Sequence, residues 1–288
     1  MPISVVVPAY NEEDVIGRCL KDLLGQGDVI GEIVVVDNAS TDRTAQIVTQ
    51  ISTDHPKVVI VREERPGVLP ARNTGFDSAT LDVVARIDAD TLVEPGWAQA
   101  VEDFFTNTGE EFGAVVGPFY QHDMPFRRLS EAMQRAIVRF SSDGGQTETY
   151  RVIKNIAGGN MAIRRNAWSA VRDLVTTRND VYEDVDLSLA LTEAGQKMAI
   201  VHEMKASVSG RRMKTGFRSY WRYTAHLPAT FAARGLHSQA RLSWVSVWIA
   251  RLFYIVFYVP NRAFDPHTRK WNLKLLLSGT EERVGPNR

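Results

Sequence analysis

Two carboxylates stand one residue apart in this sequence, directly after a hydrophobic run. The run covers residues 83–87, and Asp88-Ala89-Asp90 follows it at once. Like charges at this spacing repel and raise each other's pKa. Either a cation belongs beside them, or the pair lies in a solvated turn.

Other polar groups follow neighbouring hydrophobic runs. Pro8, Tyr10 and Glu12 lie in the loop that leaves the first run, and Asp37 ends the second. A single aspartate at a strand end is more often a cap or turn residue, and Asp42 is interpreted as such a cap. Ligands of parallel sheets bind at the carboxyl ends of the strands, so acids at several strand ends predict one shared site.

A third group of acids opens a helical pattern. The stretch "YEDVDL" places Glu183, Asp184 and Asp186 at the start of residues 183–194, where leucines recur with helical spacing. The helix dipole favours acids in a first turn. These residues therefore indicate a helix start, and their types alone imply nothing further.

The elements that must position these groups alternate between strand and helix patterns. Strands are predicted at residues 3–7, 32–37, 57–61 and 81–87. Helices are predicted within residues 15–24, after the second strand, and at 68–78. Strands that are apolar throughout and separated by helices indicate a mostly parallel central sheet with helices on both faces.

The helix ends and the middle of the chain give further expectations. We expect Glu12, Glu13 and Asp14 to fill the first turn of the first helix. Either Ser40 or Thr41 is expected to cap the second. The later elements predicted from the sequence are a strand at 112–119, a helix at 125–142, a loop entering a strand at 158–165, and a helix at 183–194.

The composition excludes several classes of protein. The 288 residues are 44% hydrophobic, which suffices for one large domain or one domain with a tail. The 34 basic and 34 acidic residues balance, so no overall field favours nucleic acid. Cys19 is the single cysteine, which rules out an internal disulfide and favours a reducing compartment. No secretory signal is expected, because the first hydrophobic run is too short and lacks a basic segment before it.

The last third of the chain has a different character. Residues 211–223 mix basic and aromatic types, and residues 242–260 are almost wholly apolar. Nineteen residues just reach the length of a bilayer crossing, but a central Arg251 disfavours insertion by about 2.5–3.5 kcal/mol. Three interpretations stay open: a helix buried against the rest of the protein or a partner subunit, an interfacial helix on an anionic membrane, and a transmembrane span.

Five segments occur in an order that resembles a known family. They are "VVVPAYNEEDVIGRCL", "VVVDNASTDRT", "GVLPARNTGF", "RIDADT" and "EDVDLSLAL". Together they are similar to the family-2 inverting glycosyltransferases, which have the GT-A nucleotide-diphospho-sugar transferase fold. The resemblance implies an α/β catalytic domain at 1–210. The change of composition marks 211–288 as a basic and aromatic helical C-terminal segment, for which association with a membrane stays open. The resemblance also implies a UDP- or GDP-linked sugar donor, a hydroxyl acceptor and a divalent metal ion.

The resemblance assigns the donor nucleotide to residues after the strands. These donor-binding residues are Pro8, Tyr10, Glu12, Asp37, Arg72 and Asp88. Asp37 matches the acid that hydrogen-bonds the base, which suits an N–H donor such as that of uracil or guanine. Arg72 and Asn73 lie in the "ARN" segment that the family places near the donor.

Asp88-Ala89-Asp90 matches the family's Asp-x-Asp motif, whose acids hold the ribose and, through the metal, the diphosphate. A diphosphate leaving group gains negative charge as the sugar–oxygen bond breaks. Mg²⁺ and Mn²⁺ stabilise such charge and prefer oxygen ligands. We therefore expect Mg²⁺ or Mn²⁺ at Asp88 and Asp90.

The family's Glu-Asp motif falls on the third group of acids. Asp184 matches the catalytic base, with Glu183 beside it. Inverting transfer is an in-line displacement that needs an acceptor hydroxyl and a carboxylate to take its proton. Asp186 is expected to support or cap the helix, and acids that merely fill a first turn remain the alternative for all three.

The remaining segments carry weaker expectations. Gly158, Gly159 and Asn160 match the segment lining the sugar and acceptor site, and a tight turn is the alternative. Arg164 and Arg165 are expected at the surface.

The basic C-terminal residues differ from those of the family's processive members. Those members carry a Gln-x-x-Arg-Trp motif that this sequence lacks, which favours transfer of one sugar. Arg218 and Arg222 share a helix face and would either close on the diphosphate or form a solvated or lipid-facing patch. His202, His226 and His237 are either further metal ligands or ordinary histidines.

The predicted function is a metal-dependent inverting glycosyltransferase of the cytoplasm or the cytoplasmic membrane face. A non-catalytic sugar-nucleotide sensor is the alternative, although both the metal and the base motifs are intact. A nucleotidyltransferase would carry a Gly-rich basic loop where "PAYNEED" stands, and a dehydrogenase would carry G-x-G-x-x-G after Val7. A membrane surface and a second copy of the chain are further candidate partners, and nucleic acid is not.

Overall fold

The computed structural model describes residues 1–126, 132, 142–266 and 268–276. The elements of the first part are β1 (Ile3–Ala9), α1 (Ile16–Leu24), β2 (Ile30–Asp37), α2 (Thr44–Asp54), β3 (Val58–Arg62), α3 (Val68–Ser78), β4 (Val83–Ile87), β5 (Leu92–Val93), α4 (Trp97–Asn107), β6 (Phe112–Val116) and β7 (Phe119–Gln121). The strands and helices of the first half therefore alternate as predicted.

The second part continues the sheet, and a helical hairpin and a short two-stranded sheet follow. Its elements are β8 (Ser142–Gln146), β9 (Tyr150–Ile153), β10 (Asn160–Arg164), α5 (Arg165–Val171), α6 (Glu183–Glu193), β11 (Lys197–Val201), β12 (Ala206–Val208), α7 (Phe217–Ala233), α8 (His237–Ala263), β13 (Phe264–Asp265) and β14 (Lys270–Trp271). Short 3-10 turns cover Gly27–Val29, Arg211–Lys214 and Leu273–Leu276.

The central sheet of the described chain has the strand order β3-β2-β1-β4-β10-β6-β11-β9-β8. The first four strands pair in parallel, with Val5 opposite Ile33 on one side and Ala85 on the other. β10 then lies antiparallel between β4 and β6, and β9 and β8 are also antiparallel. The α/β class is confirmed, and the sheet is mixed beyond β4.

Helices cover both faces of the sheet because the strands are apolar on both faces. Val5 and Val7 face α1 and α4, where Leu20 and Trp97 are buried. Val6 faces the other way, into the cluster that holds Phe76 of α3 and Leu187 of α6. Because β1, β2 and β4 are parallel, their carboxyl ends lie together at one edge of the sheet.

A second, three-stranded sheet stands beside that edge. β12 pairs antiparallel with β5 and parallel with β7. β5 begins at Leu92, so only Thr91 separates it from Asp90. The chain leaves β12 at Val208 and turns into the Arg211–Lys214 segment. The pairing of β12 with β5 thus places the start of the C-terminal segment next to the residues that follow β4.

The start of α1 differs from its prediction. The helix begins at Ile16, its first turn holds no acid, and the N–H groups of Val15 and Ile16 both donate to the Glu12 carbonyl. The prediction for Glu12, Glu13 and Asp14 is therefore wrong. Side-chain oxygens of the neighbouring loop, on Thr44 and Asp42, accept the Glu12 and Glu13 N–H groups, and a tight turn precedes the helix.

The predicted cap of α2 is also corrected. α2 begins at Thr44, and its N–H donates to Asp42 Oδ1 at 2.9 Å, so neither Ser40 nor Thr41 caps it. The predicted strand at 112–119 is two strands, β6 and β7, separated by Gly117 and Pro118. The predicted helix at 125–142 falls mainly on residues outside the described part of the chain.

Residues 242–260 lie within α8, which forms an antiparallel hairpin with α7. Arg251 is buried at the contact, donating from Nε to Thr224 Oγ1 at 3.1 Å and from Nη2 to the Trp221 carbonyl at 3.0 Å. Within the described residues, α8 is the one helix that is long and apolar enough to cross a membrane, judged by length and composition. Only 22% of its most apolar window is buried.

We expect Gly75→Ala to destabilise the protein, because α3 packs on β1 and β2 through this glycine. A Cβ there would fall far inside the contact distance of Val6 Cγ1 and 3.1 Å from Val36 Cγ2. Overpacking of this kind costs about 1–3 kcal/mol, measured by urea unfolding.

Gly17→Ala in α1 is the matched control. Its Cβ would meet Ile47 Cγ2 at 3.8 Å, an ordinary contact. Alanine also has the better helix propensity, by about 1 kcal/mol, so this variant should be as stable as the wild type or more so. Equal stability of the two variants would contradict the close packing of α3.

Candidate active site

A buried arginine, Arg86, joins two of the predicted motifs. Arg86 lies in β4 and is 2% exposed. Its Nη2 donates to Asp88 Oδ1 at 3.0 Å, and its Nη1 donates to Glu183 Oε1 at 2.6 Å. The end of β4 and the start of α6 are thereby held together, although 97 residues separate Arg86 from Glu183.

The pKa of Arg86 follows from these contacts. Burial alone would lower the pKa, but the charges and hydrogen bonds of Glu183 and Asp88 reverse this and raise it. The sequence reasoning missed Arg86. The signal was present, because a charged residue inside an apolar strand is rarely fully buried without a partner.

A second buried arginine, Arg72 of α3, approaches the same glutamate. Its Nη1 donates to the Glu183 carbonyl at 2.9 Å and lies 3.6 Å from Glu183 Oε2. Its Nε donates to Asn73 Oδ1 at 3.0 Å. Burial lowers the pKa of Arg72 to about 10. Glu183 therefore lies between two guanidinium groups and serves as their counter-ion.

Asp184 has a different environment from Glu183. Its Oδ2 accepts the Gly158 N–H at 3.2 Å, and its Oδ1 accepts the Val185 N–H at 2.8 Å. Desolvation, and then the charge of Glu183, raise the pKa of Asp184 to about 6. The two neighbouring acids therefore have different surroundings: Glu183 faces two guanidinium groups, and Asp184 accepts two backbone N–H groups.

The glycine loop before β10 covers these carboxylates. A Cβ on Gly158 would lie 2.7 Å from Arg86 Nη1 and 3.0 Å from Glu183 Oε1. A Cβ on Gly159 would lie 3.4 Å from Asp88 Oδ2. The loop can come this close to Arg86 because Gly158 lacks a side chain, whereas a Cβ on Gly159 would make an ordinary contact.

Asn160 lies beneath the loop. It is fully buried, accepts the Trp97 Nε1–H at 2.8 Å, and donates to the Met204 carbonyl at 2.9 Å. The structure therefore brings Gly158 and Gly159 to the predicted site and places the Asn160 side chain in their support.

Arg211 connects the remaining acids of the edge. Its Nε lies 2.9 Å from Asp90 Oδ2, and its Nη1 donates to Glu12 Oε2 at 3.1 Å. Burial works against the charge, but the Glu12 hydrogen bond and the charge of Asp90 raise the pKa of Arg211. The sequence pointed to Arg218 and Arg222 instead, and both are exposed on α7.

The residues predicted to bind the nucleotide lie at the ends of β1 and β2, which include Pro8 and Asp37, and in the loops that follow. Pro8 and Tyr10 are half-buried, and Asp37 is buried, with Oδ1 accepting the Ser40 N–H at 3.2 Å. Asn38, which the sequence reasoning missed, donates to the Glu63 carbonyl at 2.9 Å. These loops bring Asp37 and Tyr10 to the edge that also carries Asp88.

Other predicted residues have structural contacts. Asp186 is fully buried and accepts the Arg234 Nε–H at 2.8 Å, which ties α6 to the end of α7. His226 packs against Tyr182 with ring centroids 5.9 Å apart. Arg164, expected at the surface, is half-buried and donates to the Phe105 carbonyl at 2.9 Å.

The donor set at Asp88 and Asp90 fits a hard divalent cation. In the described part of the chain, no three His, Cys, Asp or Glu side chains gather closely enough to hold a metal alone. Two carboxylates plus substrate phosphates and water is an ordinary Mg²⁺ arrangement. The Asp90 carboxylate already pairs with a cation, the Arg211 guanidinium.

Several known proteins have sequences similar to this chain. The sequence pattern of glycosyl transferase family 2 matches residues 4–171. Glycosyltransferase AglE of Haloferax volcanii is 26% identical over 236 residues, covering 75% of this chain and 71% of that protein. An undecaprenyl-phosphate 4-deoxy-4-formamido-L-arabinose transferase of Pectobacterium carotovorum is 29% identical over 145 residues, covering 49% of this chain and 44% of that protein.

A solved structure supports the fold. The mannosyltransferase PcManGT from Pyrobaculum calidifontis, in complex with GDP-Man and Mn²⁺, has a TM-score of 0.63 at 21% identity, covering 89% of this chain and 72% of that chain. The predicted GT-A fold and the glycosyltransferase class are thus confirmed. The chain belongs to glycosyl transferase family 2.

Proposed function

We propose that the protein transfers one sugar from a UDP- or GDP-linked donor to an acceptor hydroxyl, with inversion and with a divalent metal ion. The observation that supports this most is the pair of contacts made by Arg86, to Asp88 and to Glu183. Through Arg86, the carboxylates proposed for the metal lie beside Asp184, the proposed base. An in-line displacement requires these groups at one place.

The donor nucleotide would bind along the loops after β1 and β2. The Ser40 N–H fixes the Asp37 carboxylate at the end of β2, where it suits the ring N–H of uracil or guanine. Pro8 and Tyr10 would line the base, and Glu12 and Arg72 would lie nearer the diphosphate. The GDP-Man bound to PcManGT supports a nucleotide-sugar donor of this class.

Asp88 and Asp90 would hold Mg²⁺ or Mn²⁺. When bound, the ion would stabilise the negative charge that develops on the departing diphosphate. The Mn²⁺ present in the PcManGT complex supports a divalent ion. The entering metal ion would replace the Arg211 guanidinium as the cation beside Asp90. Arg211 would then pair with the negatively charged diphosphate of the donor.

Asp184 would take the proton of the acceptor hydroxyl. As that proton leaves, the acceptor oxygen forms a bond to the anomeric carbon from the side opposite the diphosphate. The bond between this carbon and the diphosphate oxygen breaks, and the electron pair leaves with the nucleoside diphosphate. Glu183 is held by Arg72 and Arg86, which leaves Asp184, with a pKa near 6, as the better base.

A general base favours a hydroxyl acceptor over a phosphate, because a phosphate oxygen is already ionised at neutral pH. The Pectobacterium relative is named for undecaprenyl phosphate, so this chain would differ in its acceptor group. We propose a hydroxyl on a glycan, free or lipid-linked. The enzyme would add a single sugar to its acceptor and would not polymerise, because the motif of the processive members is absent from the sequence.

The chain divides at the end of the small sheet. Residues 1–210 would be the catalytic domain, and 211–288 the C-terminal segment, since β12 ends at Val208 and the described elements that follow are the helical hairpin, short turns and the two-stranded β13–β14 sheet. The single cysteine, Cys19, favours action in the reducing cytoplasm.

We expect Asp90→Asn to lose metal-dependent donor binding. A ligand at 100 times its Kd stabilises the folded state by about 2.7 kcal/mol, so thermal melts with UDP- and GDP-sugars, with and without Mn²⁺, will reveal the donor. The Mn²⁺-dependent part of the shift should vanish in this variant. Asp82→Asn, exposed before β4, is the control, and an unchanged Mn²⁺-dependent shift in Asp90→Asn would refute the metal assignment.

We expect Asp184→Asn to bind the donor normally and to lower kcat by about 10²–10⁴-fold. A base must be deprotonated, so the wild-type rate should rise with pH through about 6 and then level. The residual rate of the variant should lack this rise. Glu193→Gln, an exposed acid on the same helix, should keep both rate and profile, and full transfer by Asp184→Asn would refute the base.

We expect Arg211→Gln to bind Mn²⁺ more tightly in the absence of donor, by roughly five- to tenfold. The guanidinium competes with the metal for Asp90, and glutamine removes its charge. Titration calorimetry with Mn²⁺ alone measures the change without any activity assay. Lys214→Gln, on the same turn, is the control, and weaker Mn²⁺ binding by Arg211→Gln would contradict the competition.

A further inference from the structure

Helix α8 has one face on the protein and a broad apolar face outside it. Ser243, Val247, Arg251 and Tyr254 are buried on the inner side. The outer side carries six apolar residues that are each 53–72% exposed: Leu242, Val245, Trp248, Ile249, Leu252 and Val256. With Phe253 and Ile255, which are also exposed, they span an arc of about 160° around the helix. We call this the outer face of α8.

The contacts of Arg251 distinguish the outer face from a transmembrane span. Arg251 bonds to Thr224 and Trp221 of α7, so the charged group in the middle of α8 is satisfied by its neighbouring helix. A span would carry α7 into the bilayer with it, and α7 exposes Arg218 and Arg222. The arrangement is that of a helix lying on a surface with its apolar side outward.

Charge defines the kind of surface. Residues 211–276 contain twelve Lys and Arg and one acid, Asp265, whereas residues 1–210 contain 20 Lys and Arg and 31 Asp and Glu. Arg241, Arg269, Lys270 and Lys274 are exposed on α8 and the segment after it. The partner of this region must therefore combine an apolar layer with negative charge.

A second copy of the chain meets these requirements poorly. A two-fold interface places the same patch against itself, so it would set one basic segment against another. The outer face is also wider than the narrow seam through which two helices pair. A nucleic acid would match the charge but would leave the apolar side chains without a partner.

We propose that the outer face of α8 binds an anionic lipid bilayer. The helix lies in the plane of the interface, with Leu252 and Val256 among the acyl chains and the basic residues beside the headgroups. Trp248 and Trp271, both exposed, suit the boundary between the two layers. The proposal rests on this surface alone and holds whatever the chain transfers.

The test is flotation of the full chain with vesicles, with no donor or acceptor present. We expect binding to phosphatidylcholine vesicles that contain about 30% phosphatidylglycerol, and much weaker binding to phosphatidylcholine alone. Leu252→Ser with Val256→Ser should weaken binding at least tenfold. Lys270→Gln with Lys274→Gln should weaken it about thirtyfold on the anionic vesicles, since each basic residue near such a surface contributes about fivefold.

A matched control carries two apolar residues of the catalytic part. Val59→Ser with Leu174→Ser changes side chains that are 42% and 43% exposed and should leave vesicle binding unchanged. All variants alter exposed positions, so their melting temperatures should equal that of the wild type, which separates lost binding from lost folding.

Four results would overturn the proposal. One is wild-type protein that floats with neither vesicle. A second is loss of binding in the lysine variant alone, with the Leu252 and Val256 variant unaffected, which would indicate a polyanion site. A third is a wild-type dimer by light scattering that the Leu252 and Val256 variant converts to a monomer. The fourth is protein that stays in cell membranes after a high-salt wash and leaves only with detergent, which would indicate a span.

Discussion

A charge buried in the sheet must be compensated, and that requirement holds the site together. Arg86 lies in a strand whose neighbours Val84, Ala85 and Ile87 are fully buried, where an unpaired charge would cost several kcal/mol. The compensation comes from Asp88 and Glu183. Because these acids belong to different elements, satisfying one guanidinium also fixes the end of β4 against the start of α6, before any ligand binds.

Packing then determines how closely the backbone can approach this network. Trp97, buried in the core against one face of the sheet, donates to Asn160, and Asn160 donates to the Met204 carbonyl before β12. These contacts hold Asn160, two residues after Gly158, and the backbone of Gly158 lies close against the Arg86–Glu183 pair. The Gly158 N–H is then in place to hold Asp184. The hydrophobic core is therefore connected to the site through Trp97, Asn160 and the loop of Gly158.

Local patterns predicted the elements whose ends depend on local interactions. The bounds of α3 and the order of strand and helix through β4 are examples, because spacing and apolar runs encode them. Whether β10 runs parallel or antiparallel to its neighbours was not predictable, since an apolar strand has the same residue pattern in both cases. The prediction that Glu12 lies in the first turn of α1 was wrong because Thr44, 32 residues away, accepts its N–H and holds it in the preceding turn. Arg211 was missed because its partners Glu12 and Asp90 adjoin it only in the folded chain. For Arg86, Asp88 is a neighbour in sequence, and only Glu183 is brought to it by folding.

Arg234 fixes the position of the α7–α8 hairpin relative to α6. It bonds to Asp186 and to the Leu174 carbonyl, while Thr230 accepts the Tyr182 N–H, so the hairpin that carries α8 is locked to the helix that begins beside Asp184. On a bilayer, this linkage would set the distance between the lipid headgroups and the Asp184 carboxylate. An acceptor would then be selected by how far its hydroxyl stands above the membrane, as well as by its chemistry.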